Sequence, residues 1–160
     1  MDTDRKDTNI QIGKRLREAR RNMMIASTIG GMAFISSNVG AVHAFAETVG
    51  AWFDTPHGVA NSLFLPYIME FNIPACPERF ADIADAMGIE REESMSDEQY
   101  ALKAVEYVKA LNRKLNIPTI KEIKGITEER FEAIAERSAN NVLSNDNARK
   151  ITKEDYLELL

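Results

Sequence analysis

Between residues 22 and 77 the chain carries no lysine or arginine, and its only charges are Glu47, Asp54 and Glu70. A stretch of 56 residues with three charges belongs either in a protein core or in a membrane, because charged side chains are scarce in both. The flanks are different. Residues 1–21 hold seven basic and four acidic residues, and residues 78–160 hold 13 basic and 18 acidic ones. The whole chain of 160 residues has a formal net charge of -5. That length fits one domain, and the acidic balance argues against a nucleic-acid partner, whose phosphates attract basic surfaces. Hydrophobic residues make up 44%, enough for a sizeable core. A single cysteine, Cys76, rules out an internal disulfide framework and gives no sign of an oxidising compartment, so a cytoplasmic location is expected.

A membrane reading of the charge-poor stretch has some support. Arg15, Arg17, Arg20 and Arg21 precede an apolar run over residues 23–35, and Ala44-Phe45-Ala46 has the look of a small-residue cleavage site. Against it, the basic region begins late and contains Asp2, Asp4, Asp7 and Glu18. The run is shorter than the ~20 apolar residues a spanning helix needs. Ser27, Thr28, Gly30 and Gly31 also interrupt it. The expectation is therefore a buried helix, with no membrane partner.

Apolar spacings of three and four residues predict helices along the chain. The first covers residues 14–35, with Gly30-Gly31 read as a point of close packing against a neighbour. The second covers residues 39–53. Thr55-Pro56 then predicts a helix start, with Thr55 as N-cap and Pro56 at the first helical position, and that helix runs to Asn72. Pro77-Glu78 opens a short helix that stops at Gly88. Ser96-Asp97 caps a longer one with Tyr100, Ala104, Val108, Leu111 and Leu115 on one stripe, ended by Asn116 and Pro118. Thr127 and Thr152 start two more, which bury Phe131, Ile134, Ala135 and Tyr156, Leu159, Leu160. No stretch alternates with period two, and no glycine-rich phosphate loop follows a strand. The predicted fold class is an all-α helical bundle.

The chain has only two histidines, His43 and His57, so any histidine chemistry must use them. His43 is read as mid-helix, with Glu47 one turn further on the same face. His57 falls in the first turn of the next helix, where the helix dipole disfavours an imidazolium. Neutral imidazole is the form that binds metals. A helix, a turn and a helix can bring the two rings together. Two histidines are too few for a catalytic ion, which usually has at least three protein ligands. Spacing alone thus leaves two readings open, a pair of structural histidines and a metal pair.

A longer pattern adds to this. Glu18-Ala19-Arg20, Gly31-Met32-Ala33-Phe34, Val42-His43-Ala44 and Thr55-Pro56-His57-Gly58-Val59-Ala60-Asn61 resemble the C-terminal helical domain of iron-containing (group III) alcohol dehydrogenases. Leu65-Pro66, Phe71-Asn72, Arg79-Phe80, Met87-Gly88, Ile117-Pro118 and Asn147-Ala148-Arg149 continue the match in order. The resemblance covers residues 18–160, read as a partial helical domain behind a basic leading segment, residues 1–17. It implies one divalent ion, Fe(II) or sometimes Zn(II), acting as a Lewis acid on an alcohol oxygen. It also implies hydride exchange with NAD(P), which the family binds through a separate N-terminal domain. His43 and His57 match two of the family's four metal ligands, and Phe34 matches an aromatic position beside the substrate pocket.

Three departures stand out. The nucleotide-binding domain is missing. So is the Asp-x-x-x-His pair that supplies the other two ligands, since no aspartate here is followed four residues later by histidine. Glu47 stands where many relatives carry a histidine that relays the alcohol proton. The resemblance leaves open for Glu47 a relay through water, an extra ligand, or a changed pH profile. The chain is therefore expected to be a fragment of an alcohol dehydrogenase, inactive alone. Its first three helices are expected to leave an apolar patch that self-associates or pairs with a separately encoded first half. Two alternatives stand beside it: one half of a split enzyme, and a noncatalytic helical interaction module.

Overall fold

A computed structural model describes residues 3–160, with side chains from Gln11 onward. The described residues form seven α-helices and no strand, the all-α class the sequence predicts. They divide after Asn38 into two compact units. The first unit is one long helix, α1 (Thr3–Ser37). The second begins with α2 (Ala41–Phe53) and α3 (His57–Asn72). It continues with α4 (Pro77–Ala86), α5 (Asp97–Lys114), α6 (Glu128–Ala139) and α7 (Lys153–Glu158). Short 3-10 turns lie at Ile73–Ala75, Ile120–Glu122 and Val142–Asp146.

The apolar run in α1 is not buried. Met23 is 70% exposed, Met32 68% and Ile35 78%, which corrects the expectation of a buried helix. A single helix has no second element within its own unit against which to bury an apolar face. Gly30 is likewise not a packing point, since a Cβ built on it meets no described heavy atom within 4 Å. No single helix among the described residues is long and apolar enough to cross a membrane.

The second unit packs α2 on α3, α2 on α6, α6 on α7, α3 on α5 and α4 on α5. Two cores result. In the first, Phe45 of α2 stacks on Phe64 of α3 with centroids 4.2 Å apart and meets the edge of Tyr156 of α7 at 4.6 Å. Val49, Ile68 and Ile134 complete it. The second joins Ile73, Phe80 and Ala84 to Tyr100, Ala104 and Val108 of α5. The predicted stripe on α5 is buried only in its first part. Leu111 and Leu115 are 41% and 60% exposed.

Helix ends follow local chemistry. Ser96 and Gln99 form a reciprocal capping box at the start of α5, and Thr152 and Asp155 form another at α7. Gly88 (φ 71°) and Asn116 (φ 55°) close α4 and α5 in the left-handed conformation. In both places the next two amides turn back to the last carbonyls: Gly88 to Asp85, Ile89 to Ala84, Asn116 to Arg113, and Ile117 to Asn112. The start of α3 lies one residue later than predicted. Pro56 has ψ 132°, which is extended, so it is the N-cap and His57 is the first helical residue.

Pro66 sits inside α3 and has no N–H to give to the carbonyl of Ser62, four residues back. Asn112 of α5 fills that gap, its Nδ2 donating to the Ser62 oxygen at 2.6 Å. The break in one helix thus becomes a bond to its neighbour.

Candidate metal centre

His43 lies in the first turn of α2, not in mid-helix. The helix starts only at Ala41, because Gly40 (φ -113°, ψ -148°) is extended, and the Gly40 carbonyl accepts from His43 N at 3.0 Å. His57 opens α3. Each histidine therefore stands in the first turn of its own helix. The two rings come together, with centroids 5.4 Å apart and planes at 50°. His43 is half-buried and His57 is exposed. Burial is the main cause that lowers the His43 pKa below 6.5, the charge on His57 adds to it, and Glu47 works the other way.

Asn61, one turn along α3, fixes the His57 ring. Its Nδ2 donates to the His57 carbonyl at 2.9 Å and lies 3.0 Å from Nε2. The Asn61 Oδ1 is buried and without a hydrogen-bond partner among the described residues.

Glu47 is exposed on α2, one turn beyond His43. Its Oε2 accepts from Asn141 Nδ2 at 2.9 Å. Asn141 Oδ1 in turn accepts from Leu143 N at 3.1 Å, which locks the amide the right way round. Glu47 lines a cleft of about 500 Å³ between α2 and α6, together with Trp52, Arg137 and Asn141. The Arg137 guanidinium lies over the Trp52 ring at 5.6 Å. The histidines do not line that cleft. Phe34 belongs to α1, in the first unit, and is 52% exposed.

Neutral imidazole nitrogen suits both iron and zinc. The two facing rings therefore fit such an ion as part of a ligand set. Among the described residues no group of three or more His, Cys, Asp or Glu side chains could hold one. The positive helix ends oppose a bare cation, so tight binding calls for an anionic ligand beside them. Sequence reasoning picked out the histidines and Glu47 directly. It reached Asn61 and Asn147 only as letters in a family pattern and did not reach Asn141, because short-range spacing does not reveal a partner 94 residues away.

The described residues are all helical, and the first turns of two helices bring a histidine pair together. The sequence profile of the Fe-containing alcohol dehydrogenase family, C-terminal, matches residues 10–160, and the chain belongs to that family. It is 38% identical over 143 residues to lactaldehyde reductase from Escherichia coli (strain K12), covering 89% of this chain and 37% of that protein. It is 37% identical over 150 residues to 1,3-propanediol dehydrogenase from Citrobacter freundii, covering 94% of this chain and 38% of that protein. Among solved structures, a 1,3-propanediol oxidoreductase superposes with a TM-score of 0.83 at 37% identity, covering 89% of this chain and 37% of that one. An alcohol dehydrogenase from Oenococcus oeni gives 0.82 at 38%, with the same coverage. The chain thus spans 37–38% of the length of these relatives.

Proposed function

We propose that this chain is the metal-binding helical part of an NAD(P)-linked enzyme that interconverts small alcohols and aldehydes in the cytoplasm. The observation that carries the reading is the meeting of His43 and His57 at 5.4 Å. These residues hold two of the ligand positions for Fe(II) or Zn(II). When bound, the ion supplies Lewis acidity to an alcohol or carbonyl oxygen. The nicotinamide cofactor supplies the hydride acceptor or donor and binds outside this chain.

The chain's own residues have the following roles. Burial disfavours the protonated form of His43, which leaves its lone pair available. Asn61 Nδ2 lies 3.0 Å from Nε2 of His57 and must move aside for Nε2 to become a ligand. Glu47, anchored by Asn141, takes up through water the proton that the alcohol loses. With no group of three or more His, Cys, Asp or Glu side chains placed to hold an ion among the described residues, the chain alone binds a divalent ion weakly and turns over no substrate. Its partner is a nucleotide-binding portion or a further copy of the chain.

The test is to purify the chain, measure bound iron and zinc, and assay NAD- and NADP-linked oxidation of short alcohols. Weak metal retention without turnover is expected. Robust turnover by the isolated chain would overturn the incompleteness argument. A second reading, a noncatalytic interaction module, is favoured by the absence of a third ligand among the described residues. It requires that His43→Ala and His57→Ala leave both metal retention and partner binding unchanged.

A further inference from the structure

The first turn of α2 has no cap of its own. Gly40, its N-cap, offers no side chain, yet His43 depends on that turn for its position. A helix start leaves several N–H groups without intrahelical partners, and an uncapped start frays. The missing acceptor comes from far along the chain. Asn147 Oδ1 accepts from the Ala41 N–H at 3.3 Å. The same oxygen accepts from Asn72 Nδ2 at 3.1 Å, and Asn147 Nδ2 donates to Asn72 Oδ1 at 2.7 Å and to the Arg149 carbonyl at 2.7 Å. Asn72 is the last residue of α3, the helix that His57 opens.

The fit is tight on both sides. A Cβ on Gly40 would lie 3.0 Å from Asn147 Oδ1 and 3.2 Å from Asn147 Cα, so a side chain there would push Asn147 back by a few tenths of an ångström. Arg149 pins the segment to α3 again. Its Nη1 donates to the Phe71 carbonyl at 3.1 Å, and its guanidinium lies over the Phe71 ring at 4.2 Å. Both donors and the acceptor of the Asn147 amide are engaged, so its orientation is fixed.

We propose that Asn147 is a positioning residue for the histidine pair: it caps α2 two residues before His43 and ties that cap to the end of α3, setting the approach of the two imidazoles. This rests on the metal-pair reading above. Asn147 touches neither imidazole, and it acts through the backbone of α2 and the side chain of Asn72.

The test compares the full chain with Asn147→Ala, Asn147→Asp and Tyr156→Phe. Zinc ion alone is the probe, measured by competition with a chromophoric chelator. Asn147→Ala is expected to weaken zinc binding about tenfold, the lower end of what loss of an outer partner does to a metal site. Asn147→Asp keeps the acceptor for Ala41 but loses the donor to Asn72 and Arg149, so it is expected to restore only part of the affinity. Tyr156→Phe breaks the Ser144 contact in the same core, and should lower Tm while leaving zinc affinity unchanged. A metal-free readout runs alongside. In Asn147→Ala the amides of His43 and Ala44 should exchange with solvent faster, and the nuclear Overhauser contact between the two imidazoles should weaken. Unchanged zinc affinity in Asn147→Ala, or an equal loss in Tyr156→Phe, overturns the proposal. If the unmodified chain binds no zinc, the metal-pair reading fails by itself. The exchange and Overhauser data then decide the positioning role: faster exchange with a weaker contact supports it, and no change overturns it.

Discussion

The imidazoles of His43 and His57 face one another at 5.4 Å, although 14 residues separate them in the chain. Each stands in the first turn of its own helix. The charges of His57 and Glu47 both act on the titration of His43, in opposite directions.

In the metal-free chain His43 should titrate below 6.5, chiefly because of burial. His57→Ala removes a like charge and should raise that midpoint. Glu47→Gln removes a carboxylate that raises it and should lower it further. Proton spectra of the imidazole ring across pH read both shifts. The sign for stability follows from the same value. The folded chain holds the proton less tightly than the unfolded one, so this contribution is fully present above pH 6.5 and is lost as pH falls through the window below it.

The bond from Asn112 to Ser62 predicts a coupled pair. Asn112→Ala leaves a partly buried carbonyl that Pro66 cannot satisfy, at a cost of about 1–3 kcal/mol. In a Pro66→Ala background the new N–H at position 66 can bond to Ser62 within α3, and the same substitution should cost about half as much. Urea unfolding of the four chains in a double-mutant cycle measures the coupling. Equal losses in both backgrounds would mean the bond does not replace the one the proline removes.

Tyr156 is fully buried against Phe45, and burial pushes its phenol up to about 12. Its neutral form is favoured in the folded chain. The stability this brings is fully present below pH 10 and is lost as pH climbs through about 12. Tyrosinate absorbance on alkaline titration should show a late step that disappears in Tyr156→Phe.

Much of the helical order could be read from the sequence, because its signals are local. Ser96 with Gln99, Gly88 after an amphipathic turn, and Asn116 before Pro118 act within a few residues of themselves. The burial of the 23–35 run could not be read this way. Periodicity tells which face is apolar, but not whether a partner exists to cover it. His43 was misplaced within its helix because Gly40 terminates the preceding segment through its backbone, which composition does not reveal. Asn147 and Asn141 gain their roles from contacts across 75 and 94 residues, distances at which spacing carries no information.

The most direct test of the central claim is zinc titration by calorimetry of the chain and of His43→Ala, His57→Ala and the double variant. The account predicts one weak site per chain. It predicts that either single substitution abolishes that site, and that the double substitution has no further effect. Zinc binding that survives both substitutions unchanged would contradict it.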